Sequence, residues 1–299
     1  MHIFILSISL LAAVNAMSGG RAVTSSEQFP FFVTLTTPIL CGGTIISLDP
    51  AWIITAAHCI EDSTSGSLIG YGSREFSKQT YATIKQIVLH PLYVSNKQLE
   101  TQVYASNRTD IVPYDIGLLQ LTKPLPQNEY TDRIPLLADQ EIATLETMGM
   151  GYTGYQQPHA DLLQYTECNS SRTGVLHDDN FNHSIILAHS EANLCHGDSG
   201  SPLVTKLYGS NSYYLAGILN RILNAYDPDP NQVSCPFHQS ESTLFVNAFV
   251  KPYVHIKWIM NSTQLSKEAL LNNVYKPVAS HASSQRRSLL MFISCLLLL

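Results

Sequence analysis

The hydrophobic residues of this chain occur in short runs separated by turn residues, and segments with a long helical period are rare. Short apolar runs bounded by turn residues are typical of β-strands. Strands are predicted at Phe31–Leu35, Thr44–Ile46, Trp52–Ile54, Ile84–Leu89, Gly117–Leu121, Leu203–Val204, Tyr213–Leu219 and Leu244–Val250. A helix is predicted near the end of the chain, over Val254–Met260. The pattern therefore predicts an all-β fold, either a barrel or a sandwich.

The composition indicates one folded domain with a large core. Of the 299 residues, 45% are hydrophobic and 13% are charged, and all-β barrels of about 200–250 residues commonly form one domain. The formal net charge is −6, and no basic block occurs in the body of the chain. Nucleic acid is therefore not expected as a partner, and the mild acidity predicts a soluble surface.

Both ends of the chain have the composition of processing signals. Residues 1–16 are mostly apolar and place Val14 and Ala16 where signal peptidase recognises small residues, which predicts a signal peptide; an N-terminal membrane anchor is the alternative. Residues 263–287 are predicted to form a polar stalk or linker, and residues 288–299 form an apolar tail. A helix of that length rises about 18 Å, against a hydrocarbon core of about 30 Å. The tail resembles a signal for GPI attachment, with an uncleaved tail as the alternative.

Asn-X-Ser/Thr sequons support a glycoprotein on the secretory route, since they accompany a predicted signal peptide. These sequons are at Asn107, Asn169, Asn182 and Asn261. The predicted location is therefore secreted or extracellular, with anchoring at the cell surface if the tail is a GPI signal.

Three segments carry the residue types of nucleophilic catalysis. Cys195–Pro202 reads Cys-His-Gly-Asp-Ser-Gly-Ser-Pro, Thr55–Cys59 reads Thr-Ala-Ala-His-Cys, and Asp115 lies between them. A serine hydroxyl becomes a useful nucleophile when an imidazole accepts its proton and a buried carboxylate orients that imidazole. The candidate groups are Ser199, His58 and Asp115, and they follow the chain order His, Asp, Ser of the chymotrypsin arrangement.

On these motifs the chain resembles the trypsin/chymotrypsin-type serine proteases (peptidase family S1) over residues 17–262. The histidine segment follows Cys41–Thr44, which reads Cys-Gly-Gly-Thr as in the family, and the serine segment has Ser201 where the family more often has glycine. The resemblance implies two six-stranded antiparallel β-barrels with a short C-terminal helix. It places the active site in the cleft between the barrels, with the histidine and aspartate on the first barrel and the serine on the second.

The resemblance also assigns roles within the site. His58 is the general base and later the general acid, Asp115 holds the histidine tautomer, and Ser199 is the nucleophile that forms an acyl-enzyme. The backbone N–H groups of Gly197 and Ser199 form the oxyanion hole.

Asp198 is expected to pair with the amino terminus that activation generates. That terminus normally reads Ile-Val-Gly-Gly in the family, and the best match here is Met17–Gly20, which no Arg or Lys precedes. Cleavage by signal peptidase after Ala16 would expose Met17 directly. The resulting hypothesis is a protease made without a separate zymogen step.

Cysteine usage fits an oxidising compartment. The resemblance implies one disulfide between Cys41 and Cys59, beside the histidine loop, and another between Cys195 and Cys235. Cys168 has no partner in this scheme and is either free or paired between molecules. Neither a Cys-X-X-Cys pair nor a close His pair occurs in the sequence, so no metal and no other cofactor is predicted.

The predicted specificity pocket departs most from the family. Asn193 stands where trypsins have the aspartate that binds Lys or Arg, so no fixed negative charge is expected there. The family's Ser-Trp-Gly substrate-binding strand reads Asn220-Arg221-Ile222, and the glycine that leaves the pocket wall open is Asn247. Bulk at Ile222 and Asn247 would narrow or fill the pocket and favour a small substrate residue or none.

The leading hypothesis is a secreted or cell-surface serine endopeptidase without trypsin-like specificity. It is expected to be a monomer that acts on protein or peptide substrates and is a target for protein inhibitors. The alternative is a non-catalytic protease homologue that acts as a binding protein, a class that the altered pocket and the missing basic activation site leave open. An esterase with the same three groups shares the chemistry and is not separable from the endopeptidase by sequence.

Overall fold

The computed structural model of the chain describes residue 17 and residues 20–95, 114–138, 144–152, 158–170, 184–207, 212–224 and 245–272. The described chain is built mainly from short antiparallel strands, which form two closed barrels. A short strand, β1 at Arg21–Ala22, precedes them and adds to the edge of the second barrel.

The first barrel is a closed sheet of six antiparallel strands. They are β2 at Phe32–Leu35, β3 at Cys41–Leu48, β4 at Ala51–Thr55, β5 at Leu68–Tyr71, β6 at Thr80–Leu89 and β7 at Gly117–Leu121. The strand order around the barrel is β2-β3-β4-β7-β6-β5. Val33, Ile45, Ile53, Ile69 and Leu118 are fully buried in its interior, and burial of each aliphatic side chain stabilises the fold by about 1.5–3 kcal/mol.

The second barrel contains six further antiparallel strands. They are β8 at Thr144–Gly149, β9 at Gln164–Ser170, β10 at Ile185–Ser190, β11 at Pro202–Lys206, β12 at Tyr213–Asn224 and β13 at Phe245–Val250. The order is β8-β9-β10-β13-β12-β11, and pairing between β8 and β9 closes the barrel. Phe249 is fully buried in an apolar cluster that also contains Leu203 and Met17.

A short helical segment closes the chain on the barrels. A 3₁₀ turn at Pro252–His255 leads into helix α1 at Ile256–Thr263, which ends at Gln264 in the left-handed conformation. A second short helix, α2 at Lys267–Leu271, is capped by the Ser266 hydroxyl. Helix α2 packs through its buried Leu270 on the larger core cluster, which contains residues of both barrels, so the packed domain extends beyond residue 262.

The fold class predicted from the sequence is confirmed, with two six-stranded barrels and a short helix at the C-terminal end. Each predicted strand overlaps an observed one, although β3, β6 and β12 are longer than their apolar runs. The pattern did not predict strands β5, β8, β9 and β10. Strands β8 and β9 contain several polar residues and therefore do not form a continuous apolar run. The α-helix begins at Ile256, two residues after the predicted start at Val254, because Pro252–His255 form a 3₁₀ turn.

No helix in the described ranges combines the length and the apolar character needed to cross a membrane.

Candidate active site

His58 lies at the edge of the first barrel, immediately after strand β4. It occupies a 3₁₀ turn at Ala57–Cys59, and a disulfide joins Cys59 to Cys41 at the start of β3 with a Cα–Cα distance of 6.1 Å. The turn is therefore held by a covalent bond on one side and by the strand on the other. The His58 side chain is only 14% exposed.

Asp115 orients the His58 ring. It precedes strand β7, and its side chain is 10% exposed. Its Oδ2 lies 2.7 Å from His58 Nδ1, and its Oδ1 accepts a hydrogen bond of 2.8 Å from the His58 backbone N–H. Because a carboxylate only accepts, the proton of a neutral imidazole is on Nδ1 and the lone pair is on Nε2. This is the tautomer that a general base requires.

The pKa of His58 reflects opposing effects. Burial acts to lower this pKa, but the charge of Asp115 and its hydrogen bond to the ring raise it, and the pKa is raised overall. Two other charges also act on the ring: Arg221 lowers the pKa and Glu61 raises it.

Ser199 lies in a tight turn between the barrels that two glycines make accessible. Gly197 has φ +90° and Gly200 has φ +77°. Residues other than glycine rarely adopt backbone conformations with such positive φ angles. A Cβ at Gly200 would lie 2.2 Å from Thr55 Oγ1. The Ser199 carbonyl accepts a hydrogen bond of 2.7 Å from Gly42 N–H, which joins the turn to the first barrel.

Ser199 and His58 are not hydrogen-bonded to each other. Within the described chain no hydrogen bond joins Ser199 Oγ to His58, and His58 Nε2 lies 3.7 Å from the Cys59 sulfur. In proteases without substrate this contact is often long and tightens in the substrate complex. The backbone N–H groups of Gly197 and Ser199 also lack protein acceptors among the described residues, so both are available to bind a substrate oxygen.

Asp198 is fully buried beneath this turn. Its carboxylate accepts hydrogen bonds from Gly151 N–H at 2.8 Å and from Cys195 N–H at 2.9 Å. Burial raises its pKa to about 7, although these two hydrogen bonds act to lower it. No Lys, Arg or His in the described ranges forms an ion pair with Asp198. Met17, its predicted partner, is fully buried in the core cluster of the second barrel.

The predicted pocket residues lie on or near neighbouring strands of the second barrel. Asn193 and Asn247 are buried. Asn247 pairs with Ile222 across β12 and β13, and its Nδ2 donates to Ser190 Oγ at 2.9 Å. Ile222 packs against the core cluster of this barrel. Ile222 and Asn247 therefore lie side by side on the paired strands β12 and β13 of this barrel.

Asn220 has a contact that the sequence did not predict. The resemblance to the family places this residue in the specificity pocket, but its Nδ2 donates a hydrogen bond of 2.6 Å to Asp115 Oδ2. The signal for this contact was present in the sequence, because the residue aligns with a family serine that can also donate. The neighbouring Arg221 was also not singled out as a site residue.

Among the cysteines that the structure describes, one is a free thiol and none offers a metal ligand beside the histidine. Cys168 is buried and free, and burial raises the pKa of its thiol. Cys195 is disulfide-bonded, while Cys235, its expected partner, lies outside the described residues. The ligand atoms of Cys41, His58 and Cys59 lie within 4.8 Å of one another, but the sulfurs are joined in a disulfide and offer no thiolate.

Several other predicted features fall outside the described part of the chain. They are residues 1–16, the sequons at Asn107 and Asn182, and the tail at 288–299. The sequon asparagines Asn169, on β9, and Asn261, on α1, are both exposed.

The fold and this site define a two-barrel protein with a His–Asp pair beside a serine turn. The chain belongs to the trypsin family, because the family model described as Trypsin matches residues 18–240. It is 29% identical to a trypsin of Simulium vittatum over 225 residues, which are 68% of this chain and 84% of that protein. It is 30% identical to coagulation factor IX of Cavia porcellus over 211 residues, 64% of this chain and 68% of that protein.

A third relative, ovochymase of Halocynthia roretzi, is much longer than this chain. The two are 26% identical over 277 residues, which cover 85% of this chain but 15% of ovochymase. These relatives support a peptidase role for the chain.

Proposed function

We propose that this protein is an active serine endopeptidase that uses His58, Asp115 and Ser199 as its catalytic groups. The observation that carries the proposal is the hydrogen-bonded pair of His58 and Asp115, with a distance of 2.7 Å between Nδ1 and Oδ2. This pair leaves the lone pair of His58 Nε2 directed away from Asp115. The turn that carries the proposed nucleophile, Ser199, is held to the first barrel by the hydrogen bond from Gly42 N–H to the Ser199 carbonyl.

In the proposed mechanism, His58 accepts the Ser199 proton while the serine oxygen attacks the substrate carbonyl carbon. Asp115 stabilises the imidazolium that forms. The negative charge on the substrate oxygen is bound by the N–H groups of Gly197 and Ser199, each worth about 10²–10³ in rate. The imidazolium then protonates the leaving amine. Water hydrolyses the acyl-enzyme with His58 as the base.

The proposed specificity differs from that of trypsin. Asn193 is neutral, so it offers a substrate Lys or Arg no charged partner. Asn247 and Ile222 fill the adjacent wall, which favours a small substrate side chain before the cleaved bond. The substrates are proteins or peptides.

The proposed location is extracellular, with secretion or attachment at the cell surface. The disulfide between Cys41 and Cys59 supports it, because disulfides form and persist in oxidising compartments. Buried Asp198 also supports the proposed start of the mature chain at Met17, since a terminal ammonium group would supply the missing opposite charge.

The experiment that tests the proposal is labelling of the purified protein, with Met17 as its confirmed first residue, by a fluorescent fluorophosphonate. Wild type is expected to be labelled, and Ser199→Ala is not. Hydrolysis of a peptide library should follow the same pattern. Absence of both labelling and hydrolysis in correctly folded wild type would overturn the proposal in favour of a binding protein. Hydrolysis of esters without peptides would indicate an esterase.

A further inference from the structure

Arg221 is a cation at the edge of the candidate active site that has no role in the proposed mechanism. It lies on strand β12 directly after Asn220, whose side chain reaches across the cleft to Asp115. Within the described residues Arg221 has neither a hydrogen bond nor an ion pair through its side chain. An unpaired guanidinium beside a reaction centre can bind a charged group of the substrate.

The local strand geometry directs Arg221 away from the barrel core. Leu219 is buried in the core cluster of the second barrel, and Ile222 packs against the same cluster. Between them the register with β13 shifts, because Leu219 pairs with Phe249 and Arg221 with Ala248. Asn220 is therefore the extra residue of a β-bulge, a feature that re-aims side chains.

The bulge places two polar side chains at the cleft between these apolar positions. Asn220 turns towards the first barrel and contacts Asp115. Arg221 is adjacent in sequence to Ile222, so the alternation of a strand places it on the face opposite the core. Arg221 is half-buried, and its charge acts on the His58 ring. Because Asn220 contacts Asp115, the next residue, Arg221, lies beside the cleft that contains the candidate catalytic groups.

We propose that Arg221 forms a subsite that binds an acidic side chain of the substrate near the cleaved peptide bond. This inference rests on the proposed protease function. A substrate carboxylate would accept two parallel hydrogen bonds from the planar guanidinium, which a lysine ammonium cannot match in geometry. A basic substrate residue at the same position would be repelled. The subsite thus adds charge selectivity to a site whose Asn193 is neutral.

The test compares internally quenched peptides that carry Asp, Asn or Lys at one position at a time around the cleaved bond. At one of these positions wild type is expected to hydrolyse the Asp peptide with a kcat/KM about tenfold above that of the Lys peptide. The preference should weaken with added salt, because a partly exposed ion pair is screened. Arg221→Gln should abolish the preference, Arg221→Glu should invert it, and Arg221→Lys should retain part of it.

A matched control separates this effect from the overall charge of the protein. Lys85 is an exposed cation on strand β6 of the first barrel, and Lys85→Gln removes the same charge as Arg221→Gln. The Asp preference should persist in Lys85→Gln. Loss of the preference in both variants would show a general electrostatic effect and overturn the subsite.

The outcomes for the subsite and for the protease function are distinguishable. Labelled, hydrolytically active wild type without a charge preference at any position would overturn the Arg221 subsite and leave the protease function standing. If wild type neither reacts nor hydrolyses, the protease function fails. Binding of the same peptides to Ser199→Ala, measured by fluorescence anisotropy, then decides the subsite: tighter binding of an Asp peptide that Arg221→Gln removes supports it, and equal binding contradicts it.

Discussion

Three hydrogen bonds converge on the Asp115 carboxylate, and one of them comes from the second barrel. His58 supplies two donors and Asn220 the third, at 2.6 Å from Oδ2. A hydrogen bond to a charged group contributes about 1.5–3 kcal/mol. The bond from Asn220 therefore links the strand that carries Arg221 to the carboxylate that orients the base.

Removal of the Asn220 amide should disturb the orientation of His58. We expect Asn220→Ala to lower kcat/KM by about 10–100-fold, with the loss mainly in kcat, because the lost contact stabilises Asp115 rather than the substrate. Asn220→Ser should recover part of the loss, since a hydroxyl can donate to the same oxygen. Steady-state kinetics on one peptide measures both variants. A change confined to KM would instead assign Asn220 to substrate binding.

The charges around His58 predict opposite changes in the pH profile. General-base catalysis requires neutral His58, so kcat/KM rises as the pH passes the pKa of this residue. Arg221 lowers that pKa and Glu61 raises it. In Arg221→Gln the acid limb of the profile should therefore move to higher pH, and in Glu61→Gln it should move to lower pH. Profiles of log kcat/KM against pH at constant ionic strength test these two variants. Movement of the acid limb in the same direction in both variants would contradict this account.

At the scale of elements, the Ser199 turn depends on glycines that a side chain cannot replace. Gly200 has φ +77°, and an added Cβ would lie 2.2 Å from Thr55 Oγ1 and 2.4 Å from the Gly42 carbonyl oxygen. The backbone conformation and the clash both oppose Gly200→Ala. We expect it to destabilise the protein by about 2–5 kcal/mol and to abolish labelling of Ser199.

Gly66 provides the matched control for this prediction. It has φ +99°, but an added Cβ would meet no atom within 4 Å. Gly66→Ala should therefore cost only the backbone strain, about 1–2 kcal/mol, and retain fluorophosphonate labelling. Urea unfolding and labelling rates measure the two variants. Similar stability losses in both would mean that the contacts with Thr55 and Gly42 contribute little.

The strands illustrate what the sequence could and could not predict. Strand β4 reads Ala-Trp-Ile-Ile-Thr and is buried throughout, so its apolar run was visible in the sequence. Strand β9 reads Gln-Tyr-Thr-Glu-Cys-Asn-Ser and is held by pairing with β1, β8 and β10. Such pairing depends on residues that are distant in the chain, so the local pattern of apolar and polar residues in β9 does not predict it.

The same distinction applies to the candidate site. His58, Asp115 and Ser199 lie in short motifs that can be identified one at a time. The contact between Asn220 and Asp115 joins residues 105 positions apart, and it depends on a bulge in the pairing of β12 with β13. The predicted strand ended at Leu219, and only the resemblance to the family placed Asn220 on a strand. The direction of its side chain follows from tertiary structure.

At the scale of the whole molecule, the buried Asp198 predicts how processing affects stability. In the full chain Met17 is joined to Ala16 by a peptide bond, so no ammonium group is present there. Burial then raises the pKa of Asp198 to about 7, against 3.8 for the unperturbed group. The folded form therefore binds a proton more readily than the unfolded form. The resulting stability is fully present below pH 3.8 and is lost as the pH rises through about 7.

A chain that begins at Met17 should behave differently, because its ammonium group would favour the charged form of Asp198. We expect urea unfolding of a form extended by Asn15-Ala16 to show a stability decline between about pH 4 and pH 7, worth about 1.4 kcal/mol for each pKa unit of the shift. The form that begins at Met17 should lack this decline. Asp198→Asn should remove it from the extended form, because an amide does not titrate. Equal pH dependence in the extended and mature forms would show that Met17 does not pair with Asp198.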